Sequence, residues 1–194
     1  MEKEEVLACA VKMLLAEDEL SAEEMLSCNY PFALPKKQNR SFSEKQKLAI
    51  YFRDGFIDRY NGKKLVNPGL LKCFSIYFPK TFPYHPHWKM TECHVAYWEL
   101  LPTVDHVVPI ARGGEDNEQN IITTSMLNNS IKSNWQLQEL GWTLREAGNL
   151  ADWDGLTSQF LELVRKNSEL LEDSYIKRWA LASQDLLNKS KCTG

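Results

Sequence analysis

The sequence predicts an α+β fold, in which a small strand–loop–strand–helix core lies between helical segments at both ends of the chain. Three observations support this class. Apolar residues recur at helical spacing near the start of the chain. Residues 100–124 contain two β-branched apolar segments separated by a polar loop with paired glycines. Helical spacing returns after residue 142.

Three helices are expected in the first quarter of the chain. The first covers residues 2–19, where an apolar stripe alternates with acidic positions. The second starts at Ser21 and the third at Ser41, because a glutamate follows each serine three residues later in the pattern of a capping box. We expect the third helix to run to about Arg53.

Residues 54–97 are interrupted by glycine, proline and aromatic residues. Prolines at positions 79, 83 and 86 exclude a long element there. We therefore expect short strands, turns and one short helix over residues 68–78.

The central core is expected to contain a strand over residues 100–110, a polar loop, and a second strand over residues 120–124. Ser125 can cap a helix that runs to about Lys132. This order brings a β-hairpin and a helix together in about thirty residues.

The C-terminal segment is predicted to be helical after Trp142, with a break at Asn167 and Ser168. Its apolar residues recur at helical spacing and predict the buried faces: Phe160, Leu161, Val164, Leu171, Tyr175, Ile176, Trp179 and Leu186. We expect one domain over residues 1–194, with a helical arm at 1–53, a core at 54–142 and a helical layer at 143–194.

Charge is distributed unevenly along the chain, although the net charge is only −3. Residues 31–90 carry twelve basic and three acidic side chains, whereas the segments on either side are acidic. A basic block of this kind suits a surface that follows phosphates, but a solvated lysine-rich face is an equally good interpretation.

The five cysteines are odd in number and none is in a CxxC pair. This usage favours reduced thiols and a cytoplasmic location over a disulfide framework. No apolar run approaches the roughly 18 residues that span a bilayer, so we expect no membrane partner.

Polar residues occur at unusual positions in the predicted core. Asp105 and His106 lie in an otherwise apolar strand, and Asn120 opens the second strand. Asn129 and Lys132 lie three residues apart on one face of the helix.

This pattern resembles the HNH endonuclease family, whose core is the ββα-metal fold. The resemblance is carried by Asp-His, an apolar pair and Pro109, then the Gly113–Gly114 pair, then Asn120 before two isoleucines, and Asn-x-x-Lys at Asn129. It covers about thirty residues and implies a metal-dependent DNA endonuclease.

Many family members carry four zinc-binding cysteines around this core. The corresponding positions here follow the segment Arg53-Asp-Gly-Phe, at Asp58 and Asn61, and recur at Ser125 and Asn128. The resemblance therefore implies a branch without structural zinc, in which hydrogen bonds and packing replace the metal.

The residue types suit phosphodiester hydrolysis. We assign His106 as general base, because a histidine near its free pKa of roughly 6.5 can accept a proton. Asp105 and Asn129 offer oxygen ligands for one Mg²⁺ or Mn²⁺. Asn120 is expected to support the loop, and Arg112 to contact phosphate.

Other interpretations stay open for several of these residues. Asn129 suits a solvent-facing helix residue, and Arg112 suits a solvated loop residue as well as a phosphate contact. For Lys132 a surface salt bridge is favoured over a catalytic or phosphate-binding role. Alternation along a strand also sends Asp105 and His106 to opposite faces, so a distorted strand end is expected.

A second group of histidines and cysteines provides a rival metal site. It consists of Cys73, His85, His87, Cys93 and His94. The spacing fits no zinc signature, so surface or packing roles are favoured, although His94 could approach the active site. Four tryptophans, at positions 88, 98, 135 and 142, are expected in the core rather than stacked on bases.

Two functions other than DNA cleavage also stay open. A non-catalytic nucleic-acid-binding module would keep the fold without needing the Asp-His pair. A helical interaction protein with an accidental motif would have no affinity for DNA. The sequence also leaves a homodimer open, because cutting both strands with one-metal sites often needs two active sites.

Overall fold

The computed structural model describes residues 1–32 and 42–192, with side chains to residue 188. The elements within this part of the chain are α1 Lys3–Leu15, α2 Glu19–Asn29, α3 Glu44–Arg53, α4 Pro68–Tyr77, α5 Ala96–Glu99, β1 Pro102–His106, β2 Ile121–Ser125, α6 Met126–Lys132, α7 Thr157–Lys166 and α8 Ser174–Cys192. Helices and a two-stranded antiparallel sheet are both present, so the α+β class is confirmed.

Contacts divide the chain into two units, residues 1–37 and residues 38–194. In the first unit, α1 packs against α2 through Val6, Ala10 and Ala22. The second unit contains every other element. The third helix, which we assigned to an N-terminal arm, belongs to this second unit.

The starts of α2 and α3 differ from the predicted ones. Asp18, and not Ser21, caps α2, because its carboxylate accepts a hydrogen bond from the Ser21 N–H at 3.1 Å. The capping box of α3 is formed by Ser43 and Gln46, whereas the predicted cap at Ser41 lies outside the described residues. The predicted end of α3 at Arg53 is confirmed.

Segment 54–97 contains the expected short helix, α4, and one element that we did not predict, α5. Of the expected short strands, the described chain shows only an isolated bridge between Ile57 and Lys64. Proline at the first turn and the Asn67 cap explain the start of α4, because the missing proline N–H would be unpaired there anyway.

The first predicted strand is too long at both ends, and the second is displaced by one residue. The first begins at Pro102, because Leu100 closes α5 with a hydrogen bond to the Ala96 carbonyl. It ends at His106, because the chain after Pro109 forms a 3-10 turn over Ile110–Arg112. Asn120 lies in the turn before β2 rather than in the strand.

The predicted helix directly after residue 142 is wrong. Residues 143–156 run beside the segment 54–59, where Gly148 N–H donates to the Asp54 carbonyl at 3.0 Å. A Cβ atom on Gly55 would lie 2.3 Å from the Gly148 backbone, so the two segments approach at a distance that only glycine permits. Helical structure resumes at Thr157.

The main core of the second unit is formed by α3, α4, α5, α7 and α8. Its largest fully buried side chains include Tyr51, Tyr97, Phe56 and Phe160. Phe160, Val164, Ile176 and Trp179 are buried as predicted, and the predicted break after α7 lies at Asn167. The β-hairpin contacts this core through α3, which holds β1 and β2 at the edge of the helical layer.

Within the described part of the chain, none of the helices combines the length and the apolar character that crossing a membrane requires.

Candidate active site

The two strands and α6 place the predicted site at the end of the β-hairpin. The strands pair in register from Pro102 with Ser125 to His106 with Ile121. Thr103 and Asp105 share one face of β1. Helix α6 covers this face, because Asn129 contacts Thr103 and Lys132 contacts Asp105.

Asp105 is held through one of its two carboxylate oxygens. Oδ2 accepts a hydrogen bond from the Tyr60 hydroxyl at 2.6 Å and lies 3.0 Å from the Lys132 Nζ. Among the described residues, Oδ1 has no hydrogen-bond donor. The Asp105 side chain is 12% exposed, so the carboxylate is mostly buried but keeps some access to solvent.

Lys132 is buried, which corrects the surface salt bridge that we expected. Its side chain is 0% exposed, and its ammonium donates to the His106 carbonyl at 2.7 Å as well as pairing with Asp105. The face of α6 that carries Lys132 turns toward the hairpin, so the side chain runs under the strand end. Its role is therefore to join α6 to the last two residues of β1.

Tyr60 completes this cluster. Burial, followed by the adjacent Asp105 carboxylate, raises the pKa of Tyr60 well above its usual range. The phenol therefore stays protonated and keeps donating to Asp105. The Lys132 ammonium also lies 5.9 Å from the centre of the Tyr60 ring.

His106 is oriented by an acid in the loop between the strands. Its Nε2 donates to Asp116 Oδ1 at 2.9 Å, and the two side chains are 19% and 28% exposed. With the proton on Nε2, the lone pair that can accept a proton is on Nδ1. Asp116 thus provides the acceptor that a general-base histidine needs to fix its tautomer.

Asn120 clamps the same loop. Its side chain accepts a hydrogen bond from the Val108 N–H at 2.8 Å and donates to the carbonyls of Val108 and Glu115 at 2.9 and 2.7 Å. A Cβ atom on Gly114 would lie 1.9 Å from the Val108 carbonyl oxygen, so the clamp requires glycine there. The three hydrogen bonds of Asn120 suit its predicted role as a residue that supports the loop.

Asn129 is half-buried and not solvent-facing. Its amide nitrogen donates to Thr103 Oγ1 at 3.0 Å and approaches the Val104 carbonyl at 3.4 Å. Because a carbonyl can only accept, the nitrogen must face it, and the amide oxygen points elsewhere. That oxygen is the atom that could act as a ligand.

The structure brings some of the predicted residues together and separates others. Asp105, Asn129 and Lys132 share the face of the hairpin that α6 covers. His106 is the next residue along β1, so strand alternation directs its ring to the opposite face, toward Asp116. The strand end keeps regular pairing up to His106, so the expected distortion is not found within β1.

Arg112 is partly engaged within the protein. Its guanidinium pairs with Glu139 at 2.6 Å, and its side chain is 41% exposed. An arginine with this exposure can still turn part of its fork to a phosphate, although the ion pair with Glu139 competes for it.

A second carboxylate, Asp58, joins the segment before α4 to β2 and α6. It is fully buried, and both of its oxygens accept two hydrogen bonds. Oδ1 accepts from the Tyr60 N–H at 2.9 Å and the Thr124 hydroxyl at 3.1 Å. Oδ2 accepts from the Ser125 N–H and the Asn128 side chain, both at 2.9 Å.

Asp58, Ser125 and Asn128 are three of the four positions at which the resemblance places zinc-binding cysteines. The hydrogen bonds of Asp58 therefore connect the same two segments that four thiolates would connect through a metal. These four hydrogen bonds are of the kind that the predicted replacement of the metal would need.

Part of the basic block is used inside the protein. Arg53 and Arg59 both contact the buried Asp54, at 3.0 and 3.1 Å. Asp54 Oδ2 also accepts from the Thr123 N–H at 2.7 Å, and Arg53 donates to the Ile121 carbonyl. These two arginines support β2, while Lys36, Lys37 and Arg40 lie outside the described residues.

The second group of histidines and cysteines is dispersed among packing contacts. Cys73 and Cys93 are buried, and His94 stacks on Phe82 with ring centres 4.2 Å apart. His85 pairs with Glu92 at 3.4 Å. Over the described residues, no three His, Cys, Asp or Glu side chains are grouped closely enough to hold a metal ion.

The tryptophans do not all behave as core residues. Trp88, Trp98 and Trp142 are half-buried, whereas Trp135 is 49% exposed. The expectation that all four lie in the core is therefore wrong for Trp135.

Oxygen donors at the hairpin suit a hard divalent cation. Asp105 Oδ1 and the Asn129 amide oxygen are a carboxylate and a carbonyl, the ligand types that Mg²⁺ and Mn²⁺ prefer. Two protein ligands leave most of the coordination shell to water and phosphate oxygens. The donor set therefore fits the ion by its chemistry.

Tyr60 and Asp116 are two residues of the site that the sequence does not predict. Asp116 stands in the run Glu115-Asp116-Asn117, where every residue suits a solvated loop. Tyr60 lies two residues after Asp58, and only contact with Asp105, forty-five positions later, gives it a role. No local pattern marks either residue.

Comparisons with known proteins do not test the resemblance to the HNH family. No protein-family model, no curated protein and no solved structure matches this chain.

Proposed function

We propose that this protein is a metal-dependent endonuclease of the HNH type that hydrolyses phosphodiester bonds in DNA. The observation that carries the proposal is the His106–Asp116 pair on the residue that follows Asp105, at the end of a strand that α6 braces through Asn129 and Lys132. Metal-assisted hydrolysis requires a histidine that a carboxylate orients and oxygen ligands for the ion. Because His106 and Asp105 leave β1 on opposite faces, the phosphate has to reach both side chains around the strand end.

Each side chain has one task in this mechanism. His106 Nδ1 takes the proton from the attacking water, and Asp116 stabilises the imidazolium that results. Asp105 and Asn129 would hold Mg²⁺ or Mn²⁺, which supplies Lewis-acid stabilisation of charge on the phosphate and the leaving oxygen. Lys132 and Tyr60 fix the Asp105 carboxylate, and Asn120 fixes the loop that carries Asp116.

Arg112 is proposed to contact a phosphate outside the cleavage point, by exchanging its ion pair with Glu139 for the DNA backbone. A structural zinc has no part in the proposal, because Asp58 joins the two segments concerned. Free thiols at Cys9, Cys28, Cys73 and Cys93 support a cytoplasmic location. Cutting both DNA strands would take two copies of the chain.

The test is cleavage of supercoiled plasmid DNA with Mg²⁺ or Mn²⁺, followed as conversion to nicked and linear forms. We expect EDTA to abolish the reaction. His106→Ala should reduce its rate by about 10²–10⁴-fold, the contribution typical of a general base. His87→Ala is the matched control, because His87 is an exposed histidine outside the hairpin and α6. Equal rates for wild type and His106→Ala would refute the assigned base.

A non-catalytic DNA-binding module is the second candidate. It is favoured by the ion pair between Lys132 and Asp105, which neutralises the carboxylate without a metal. Salt-dependent DNA binding with no cleavage in Mg²⁺, Mn²⁺ or other divalent ions would decide for this candidate.

A further inference from the structure

A cavity of about 410 Å³ lies beside β1, and five of its thirteen lining residues are aromatic. This volume is within the roughly 300–1,000 Å³ of small-molecule sites. Five aromatic side chains line it: Phe42, Tyr51, Trp88, Tyr175 and Trp179. Most of the remaining wall is apolar, and Lys47 and Glu44 supply its charged side chains.

Two of these rings carry buried donors that lack acceptors. The indole N–H groups of Trp88 and Trp179 have no hydrogen-bond partner among the described residues. Trp179 is only 3% exposed. Burial raises the pKa of Tyr175, and the neighbouring Trp179 N–H acts against this rise, yet among the described residues no hydrogen bond engages that N–H.

Two other tryptophans in the same unit do have hydrogen-bond acceptors for their indole N–H groups. Trp98 donates to the Trp88 carbonyl at 3.0 Å, and Trp153 donates to the Leu65 carbonyl at 2.7 Å. Buried indoles ordinarily find such a partner. The two unpaired donors are therefore confined to residues that line the aromatic cavity.

The backbone of Trp88 is also strained. Its φ angle is +47°, in the left-handed region that a bulky side chain rarely adopts. The hydrogen bond from Trp98 to its carbonyl holds this conformation. Phe56 and Leu156 share this conformation, so the angle of Trp88 shows a rigidly held side chain and does not by itself indicate a ligand.

The cavity adjoins the candidate active site through β1. Thr103 and Val104 form part of its wall. The Thr103 hydroxyl and the Val104 carbonyl also accept hydrogen bonds from the Asn129 amide nitrogen. A group in the cavity is thus one residue layer away from a proposed metal ligand.

We propose that this aromatic cavity binds a nucleobase that has turned out of the stack of the substrate strand. The inference rests on the proposed nuclease function for its source of the base, but the cavity chemistry stands alone. A base presents flat faces for stacking on the rings, and its carbonyl and ring-nitrogen acceptors can pair with the indole N–H groups. Lys47 provides positive charge on the wall for the phosphate that accompanies the base.

The experiment follows the indole N–H signals of ¹⁵N-labelled full-length protein by NMR, in EDTA so that no DNA is cut. In the first arm, each of the four deoxynucleosides is added up to its solubility limit. Saturable shifts of the Trp88 and Trp179 signals are expected with at least one of them, while Trp135, which does not line the cavity, should not move. In the second arm, a short duplex with one mismatched pair is compared with the fully paired duplex, because a mismatched base turns out at lower cost.

Variants separate the cavity from general effects on the protein. Trp88→Ala should weaken nucleoside binding by roughly tenfold or more, as expected for loss of a stacking ring. Trp88→Phe keeps a ring and should retain most of the binding if the alanine variant folds poorly. Trp135→Ala is the matched control and should bind as the wild type does.

Absence of saturable shifts with all four nucleosides, or equal binding by Trp88→Ala, would overturn the inference. Shifts with nucleosides but none with the mismatched duplex would overturn the assignment to a substrate base. Plasmid cleavage without nucleoside binding would leave the proposed function standing and this inference refuted. Nucleoside and mismatch binding without cleavage under any metal would do the reverse.

Discussion

Two carboxylates in this protein, those of Asp58 and Asp105, are held by the same tyrosine in different ways. Tyr60 donates its N–H to Asp58 and its hydroxyl to Asp105. Both oxygens of Asp58 are saturated by two hydrogen bonds each, whereas the contacts of Asp105 converge on Oδ2 alone. Asp58 is fully buried, and Asp105 keeps 12% exposure.

The difference separates a carboxylate that stabilises the fold from one that can bind a further group. A buried carboxylate with all acceptor sites filled has no capacity left for a ligand. Asp105 has a rigid orientation and one oxygen to spare, which is the state that a metal ligand needs before the ion arrives. Substitutions at these carboxylates and at the residues that hold them test this contrast.

Asp105→Asn should reduce plasmid cleavage by about 10²–10⁴-fold, because the amide oxygen is a much weaker ligand for a divalent cation that contributes several kcal/mol to catalysis. The amide can still accept from Tyr60, so we expect the protein to stay folded by circular dichroism. Asp152→Asn, on an exposed loop, is the control. Full activity in Asp105→Asn would remove the functional side of the contrast.

Asp58→Ala should have the opposite profile and lower the free energy of unfolding by about 3 kcal/mol or more. Four donors lose their acceptor at once, and each buried unpaired group costs about 1–3 kcal/mol, reduced by whatever water can enter. Urea unfolding measures the change, and Asp152→Ala should change it by less than about 0.5 kcal/mol.

The same position predicts the effect of metal removal on stability. Since Asp58 joins the segments without a metal, EDTA should leave the wild-type melting temperature unchanged while it abolishes cleavage. A fall in melting temperature with EDTA, restored by Zn²⁺, would show that a structural metal is present after all.

Asp116→Asn should reduce cleavage by about 10–100-fold, the usual cost of losing a residue that orients a functional histidine. The asparagine can still contact His106, but it does not stabilise an imidazolium as a carboxylate does. The pH–rate profile separates this role from a structural one, because the limb due to His106 should move to lower pH. Asp116→Asn with an unshifted profile would show that Asp116 only supports the loop.

The parts of this site that depend on local spacing could be predicted from the sequence, and the parts that depend on distant contacts could not. The hairpin, the Ser125 cap and the order of Asp105, Asn120 and Asn129 depend on local spacing, and the structure places β1, β2 and α6 in that order. Burial of Lys132 could not be predicted, because a lysine at a helix end is usually exposed and only the strand end beneath it supplies acceptors. Asp116 and Tyr60 act through contacts distant in sequence, which single-residue patterns do not encode.

Tyr60→Phe is the smallest expected effect and tests the residue that joins the two carboxylates. It removes the hydroxyl bond to Asp105 and keeps the N–H bond to Asp58, so unfolding should become easier by only about 1–2 kcal/mol. The pKa of Tyr60 is raised in the folded protein, first by burial and then by Asp105, so its stabilising effect is present below the unfolded pKa of roughly 10 and is lost as pH rises above that value. The difference in unfolding free energy between wild type and Tyr60→Phe should therefore be constant from neutral pH to about pH 9, and it should shrink toward higher pH.

Tyr30→Phe, in the first unit and 46% exposed, is the matched control and should show neither effect. A difference that changes between pH 6 and 8 would mean that a group other than the phenol, with Asp105 or His106 the first to examine, titrates with the bond.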